Sequence, residues 1–251
     1  MMKRKATMTL ALLGSLAIGT VVAQSPAGFM QSLVPQPPPT PFTVPIEEPW
    51  KAPQDFVFGW TPPIMRTLQV GDPGRGEQVA KKLRCAKCHG DTGVSEDDDT
   101  PSLAGQTAAY TFKQLVDYKT KRRENRSMRK AVRKLSPRDM ADLGAFYESQ
   151  EAEKPAGGEP PHLVNNGDRS RLLLACNDCH NESKEFRSQM EMPATLAGQK
   201  PVYFVETMKE FQSGDRANDL FGRMRFIASR LTDEEISALA AYYATMPSED
   251  E

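Results

Sequence analysis

All four cysteines of this 251-residue chain fall in two copies of one pentapeptide, C-x-x-C-H: Cys85-Ala86-Lys87-Cys88-His89 and Cys176-Asn177-Asp178-Cys179-His180. Two thiols three residues apart, followed at once by an imidazole, suit covalent attachment of a c-type haem. The thiols add to the two vinyl groups, and the adjacent histidine becomes the proximal iron ligand. A thioredoxin-like C-x-x-C would want a strand before it, whereas Gly76 to Arg84 read as helix. A zinc ribbon would bring its two pairs within about 15–20 residues of each other and leaves the abutting histidines unexplained. Simple disulfides are the remaining alternative. The pattern predicts two covalently bound haem c groups on Cys85, Cys88, Cys176 and Cys179, with His89 and His180 on the irons.

The chain opens Met1-Met2-Lys3-Arg4-Lys5, runs uncharged from Ala6 to Val22 and reaches Val21-Val22-Ala23. Basic start, apolar stretch and small residues read as an export signal over 1–23. An uncleaved anchor is the alternative, since the apolar stretch is at the short limit for a bilayer span. Residues 24–70 form a proline- and aromatic-rich arm that holds both tryptophans, Trp50 and Trp60, with Phe42, Phe56 and Phe58. Prolines at this density favour extended chain. The arm is either a plain tether or a segment whose Trp50–Trp60 stretch docks on the protein body or on a partner.

Beyond the arm the chain repeats itself. Leu103-Ala104-Gly105-Gln106 returns as Leu196-Ala197-Gly198-Gln199, and Tyr110, Leu115, Tyr118 and Arg123 match Tyr203, Met208, Phe211 and Arg216. Leu135-Ser136 matches Leu231-Thr232. Ser136 before Pro137, and Thr232 with Glu235 three on, are helix N-cap patterns. Met140, Leu143, Gly144, Tyr147 and Ile236, Leu239, Ala240, Tyr243 then lie at i, i+3, i+4, i+7, one apolar face per helix. Alternating strand patterns are missing. The expectation is an all-α chain with domains at 71–151 and 162–251, joined by a linker at 152–161. Each would run helix, haem motif, loop, helix, loop, helix, with Asp72-Pro73 and Asp168 capping the first helices.

This order resembles a class I cytochrome c, and two such units in tandem resemble the di-haem cytochrome c4 family over about residues 70–247. The resemblance implies an electron carrier rather than an enzyme. It also implies a distal methionine where Met128 and Met224 stand, each seven residues before the leucine that precedes a capped helix. Ordinary core packing is the alternative for those methionines. Met140 reads as core, Met190 and Met192 follow His180 too closely to cross a ring, and His162 is the one histidine left over. Domain 2 departs from the family pattern. Asn181 replaces the glycine that follows the first motif, and Pro193 stands three residues before Leu196, whereas Pro101 stands two before Leu103.

The whole chain is near neutral, 32 basic against 33 acidic residues, yet its halves are not. Residues 74–155 hold 17 Lys+Arg against 13 Asp+Glu, and residues 156–251 hold 10 against 16. Lys121, Arg122, Arg123, Arg126, Arg129, Lys130 and Arg133 flank Met128 and read as a docking surface for redox partners, or as a solvated helix face. Nucleic acid is not an expected partner of an exported protein. The resemblance implies a periplasmic carrier between a membrane quinol-oxidising complex or dehydrogenase and a terminal oxidase or reductase, membrane-associated only if the first segment persists. The alternatives are a dedicated cytochrome subunit of a membrane complex, or a di-haem enzyme of peroxidase or thiosulfate dehydrogenase type. The latter uses a cysteine on its catalytic iron, and no cysteine is spare.

Overall fold

The computed structural model describes residues 62–152, 158–180 and 193–245. The export signal, the arm up to residue 61, Asn181, Met190 and Met192 lie outside the described residues. Every regular element among the described residues is helical, apart from one isolated bridge between Asp168 and Leu173.

The first repeat contains α1 (Pro62–Gln69), α2 (Pro73–Leu83), α3 (Ala86–His89), α4 (Ala108–Lys119), α5 (Arg126–Val132) and α6 (Pro137–Glu148). Asp72 caps α2 by accepting from the Arg75 N–H at 2.7 Å, with Pro73 already set for the first helical position. Arg84 ends α2 in the left-handed region at φ 58°. Ser136 and Asp139 form a reciprocal capping box on α6. Met140, Leu143 and Tyr147 then turn into a core shared with Phe112, Leu115 and Val116 of α4. Gly144 lets α4 and α6 touch backbone to backbone, since a Cβ there would sit 2.6 Å from the Ala108 carbonyl oxygen. α2 lies across the same helix at Gly76, and α1 packs Ile64 and Leu68 against the cluster.

The second repeat contains α7 (His162–Asn165), α8 (Asn177–His180), α9 (Pro201–Ser213), α10 (Arg223–Ala228) and α11 (Asp233–Thr245). Thr232 and Glu235 cap α11 reciprocally at 3.2 and 2.9 Å. Its core gathers Phe204, Met208 and Phe211 against Ile236, Leu239, Ala240 and Tyr243.

One expectation is corrected by the structure. Asp168 does not cap a first α-helix. It caps a single 3-10 turn, Arg169–Arg171, which ends at Leu172 in the left-handed region. The cause is length: Cys85 follows Asp72 by 13 residues, but Cys176 follows Asp168 by 8. Eight residues cannot hold three helical turns and also the approach to the motif. The cap survives, and so does the arginine three residues on. Arg75 meets Asp142 of α6 with two bonds of 2.9 Å, and Arg171 meets Glu235 of α11 at 2.7 and 2.9 Å. In the second repeat this charge-assisted clasp ties the entering chain to the last helix without a helix behind it.

Candidate functional site

In both motifs one helical turn lifts the histidine above the cysteines. His89 is buried, and its Nδ1 lies 2.9 Å from the Pro101 carbonyl oxygen. His180 Nδ1 lies 2.8 Å from the Ala194 carbonyl oxygen. A carbonyl only accepts, so Nδ1 carries the proton and Nε2 keeps its lone pair. Burial pushes both imidazoles down towards the neutral form, against the smaller opposing pull of those carbonyls. Pro101 and Ala194 each stand two residues before the leucine of L-A-G-Q. The shifted proline of domain 2 therefore leaves the supporting carbonyl in place, because the backbone and not the ring does the work.

Burial likewise raises the first thiol of each motif, Cys85 and Cys176, which lie against Tyr147 and Tyr243 in turn. Those tyrosine carbonyls also accept from Gly105 N and Gly198 N at 2.9 and 2.8 Å. Each L-A-G-Q turn is thereby pinned to the last helix of its own domain. All four thiols are free of disulfides.

Met128 sits in α5, whose start is fixed by Asn125 Oδ1 accepting from the Met128 N–H at 3.0 Å. Met224 sits in α10, reached through a loop in which Phe221 and Gly222 both take positive φ. Asp219 holds that loop by accepting from Arg225 N at 3.0 Å and Arg225 Nε at 2.8 Å. Both methionines are half-buried and pack on the core clusters of their domains, while Met140 is wholly inside.

Between the two sites lies a polar junction. Gln106 Nε2 donates to the Thr195 carbonyl at 3.1 Å, and its Oε1 accepts from Thr195 N at 2.7 Å. Gln199 does the same to Ser102, at 3.2 and 3.0 Å. Arg123 donates to Tyr203 Oη at 2.9 Å, and Arg216 to Tyr110 Oη at 3.2 Å. Each bond has its partner under exchange of the repeats. The symmetry breaks beside it, where Lys113 and Asp117 of α4 form a buried ion pair at 2.5 Å and both bond Asn218. Burial alone would raise the Tyr203 phenol, but the guanidinium groups of Arg123 and Arg216 outweigh it and bring it down.

Arg123 is the second correction. Its place in the basic run puts it on the expected docking surface, yet it is buried and bonded to Gln114 and Tyr203. Lys121, Arg126, Lys130 and Arg133 are exposed as expected, with Arg122 and Arg129 half-buried. The junction itself is missed by the sequence reading. Its signal is present, in polar Gln, Tyr and Arg recurring at one constant offset among core positions.

The donor set fits two haem groups: paired free thiols, a neutral imidazole with Nε2 available, and a thioether on the same core in each repeat. Known proteins agree. Residues 74–154 match the family model for cytochrome c. Cytochrome c4 of Thiocapsa roseopersicina is 35% identical over 181 residues, spanning 69% of this chain and 92% of that protein. This chain belongs to the cytochrome c4 family. A reduced recombinant cytochrome c4 from Pseudomonas stutzeri superposes with a TM-score of 0.61 at 27% identity, over 70% of this chain and 100% of that one. A protein of Stutzerimonas stutzeri (strain A1501) named thiosulfate dehydrogenase electron acceptor is 30% identical over 65% of this chain and 79% of its own. As a member of the cytochrome c4 family, the chain is a di-haem electron-transfer cytochrome with two covalently bound haem c groups.

Proposed function

We propose that this cytochrome is an exported, periplasmic electron carrier without chemistry of its own beyond electron transfer. Cys85, Cys88, His89 and Met128 would hold one haem, and Cys176, Cys179, His180 and Met224 the other. The observation that carries this reading is the repeated histidine support, with Nδ1 held by a backbone carbonyl in both domains. That support fixes the tautomer and aims Nε2, as a proximal ligand requires. Haem c supplies a one-electron iron couple when bound. The protein's part is to keep each iron closed by a thioether, which favours the reduced state relative to a second imidazole, and to keep the ligands inside an apolar core.

The supply side is a quinol-oxidising complex or a dehydrogenase, and the delivery side a terminal oxidase or reductase. The relative named as an electron acceptor of thiosulfate dehydrogenase supports a dehydrogenase as donor. Lys121, Arg122, Arg126, Arg129, Lys130 and Arg133 beside Met128 offer an acidic partner a docking face, whose pull fades beyond a Debye length of about 8 Å at physiological salt. Among the described residues no helix is long and apolar enough to cross a membrane.

Replacing Met128 and Met224 singly by Ala is the direct test. Each change should abolish about half of the far-red sulfur-to-iron band and lower one of the two potentials. Retention of the full band in both variants would refute the ligand assignment. Stopped-flow transfer to an acceptor oxidase across a salt series tests the docking face. A rate indifferent to ionic strength, or to replacing Arg129, Lys130 and Arg133 by Gln, removes it.

A further inference from the structure

The last helices of the two repeats are equivalent in sequence and unequal in cover. On α6, Ala141 and Asp142 are buried beneath α1 and α2, and Gly71 lies so close that a Cβ there would meet the Ala141 carbonyl oxygen at 2.8 Å. Their counterparts on α11, Ser237 and Ala238, are exposed. On α4, Ala109 is 5% exposed, whereas its counterpart Val202 on α9 is 43% exposed. What α1 fills in the first repeat is an open trough in the second. It measures about 450 Å³ and is walled by Pro201, Val202 and Val205 of α9 and Ser237, Ala240 and Ala241 of α11, with Glu206 at its rim.

We propose that this trough is the seat of the chain's own aromatic arm, with the stretch from Trp50 to Trp60 as the occupant. Three observations select it. The arm leads directly into α1, the element that fills the equivalent trough of the first repeat with Ile64 and Leu68. The 12 residues from 50 to 61 reach up to about 40 Å when extended, so the stretch that begins at Trp50 can lie across a neighbouring small domain. Trp50, Phe56, Phe58 and Trp60 are large and apolar, and proline-rich chain loses little entropy on docking. The tail after α11, Met246-Pro247-Ser248-Glu249-Asp250-Glu251, offers no aromatic group and three acids. The arm thus repeats in the second domain what α1 does in the first.

The inference is independent of the electron-carrier reading, and its test measures neither potential nor electron transfer. Trypsin cuts after Lys51, inside the proposed occupant. In the full-length haem-loaded protein that cut should be about ten-fold slower than in a synthetic 43–61 peptide, because proteolysis follows the population of the open form. Val202→Asp and Ser237→Arg place a charge in the trough at exposed positions, and each should return cleavage to the peptide's rate with the Soret band unchanged. The double variant Trp50→Ala/Trp60→Ala, altered only in the arm, should speed hydrogen exchange in α9 and α11 and leave α4 as it was. Wild-type cleavage at the peptide's rate would overturn the proposal, as would trough variants without effect. Protection that weakens on dilution would overturn it too, in favour of a second copy as occupant.

Discussion

Two helices lie across the last helix of the first haem domain, whereas one short turn of helix, α7, and a 3-10 turn precede the motif in the second. Both domains nevertheless build the same histidine support, the same tyrosine-pinned turn and the same arginine clasp. The comparison separates what these sites require from what merely shelters them. The N-terminal helix is shelter: it buries α6 and carries none of the polar contacts that orient His89. The clasp is retained in both, tying the chain that enters the motif to the last helix of its own domain. In the second domain Arg171 also bonds the Arg230 carbonyl at 3.0 Å, reaching the end of the methionine-bearing segment.

The comparison breaks most violently at Gly76. A Cβ there would lie 2.0 Å from the Asp142 carbonyl oxygen and 2.6 Å from Phe146 Cβ. Gly76→Ala should cost the first domain about 3 kcal/mol, the upper end for overpacking. Two-wavelength thermal melts should show the first domain unfolding early while the second stays folded. Equal shifts in both domains would mean that α2 shelters the whole molecule.

Next come the clasps. Burial opposes ionisation of Asp142, but Arg75, the Asp72 N–H and Arg138 outweigh it and hold its carboxyl low. Arg171 holds Glu235 low, against a smaller effect of burial. Depressed carboxylates add stability above their unfolded values, about 4, and lose it as pH falls through the folded ones. Arg75→Gln and Arg171→Gln should therefore destabilise their own domains fully at neutral pH and progressively less below pH 4. The effect should be larger for Arg75, whose partner is 3% exposed against 28% for Glu235. Acid melts of both variants check the order, and a gap that widens below pH 4 contradicts it.

Next comes the junction. Gln199→Leu leaves the buried Ser102 N–H and carbonyl without partners, at about 1–3 kcal/mol. Gln106→Leu should match it. Either should turn one coupled calorimetric transition into two. The smallest effect is a gain: Arg84→Gly and Leu172→Gly relieve exposed side chains at φ 58° and should each stabilise by about 0.5–1 kcal/mol in denaturant titrations.

The haem motifs, the helix caps at Ser136 and Thr232 and the core faces of α6 and α11 are legible in the sequence because each is a local pattern of spacing and residue type. Met140 is legible as core for the same reason. The missing helix of the second domain is not. Asp168 still looks like a cap, and only the count of residues to Cys176 betrays the deletion. Arg123 is misplaced because its neighbours along the chain are basic and exposed, while the groups that bury it lie 80 residues away on Tyr203 and across α4. Burial against another domain is a property of pairs, and a linear run of charge carries no trace of it.

The junction built by Gln106 and Gln199 is isologous, the arrangement expected of a two-fold dimer in which residue i meets j and j meets i. In this molecule it is closed within one polypeptide. Such a contact has no head and no tail, so it gives an electron crossing it no preferred heading. Whatever bias the molecule possesses must come from what breaks the two-fold axis: the Lys113–Asp117–Asn218 cluster, the excess of cations on one half and of anions on the other. A symmetric coupling with asymmetric ends is a conductor whose polarity is set at its terminals.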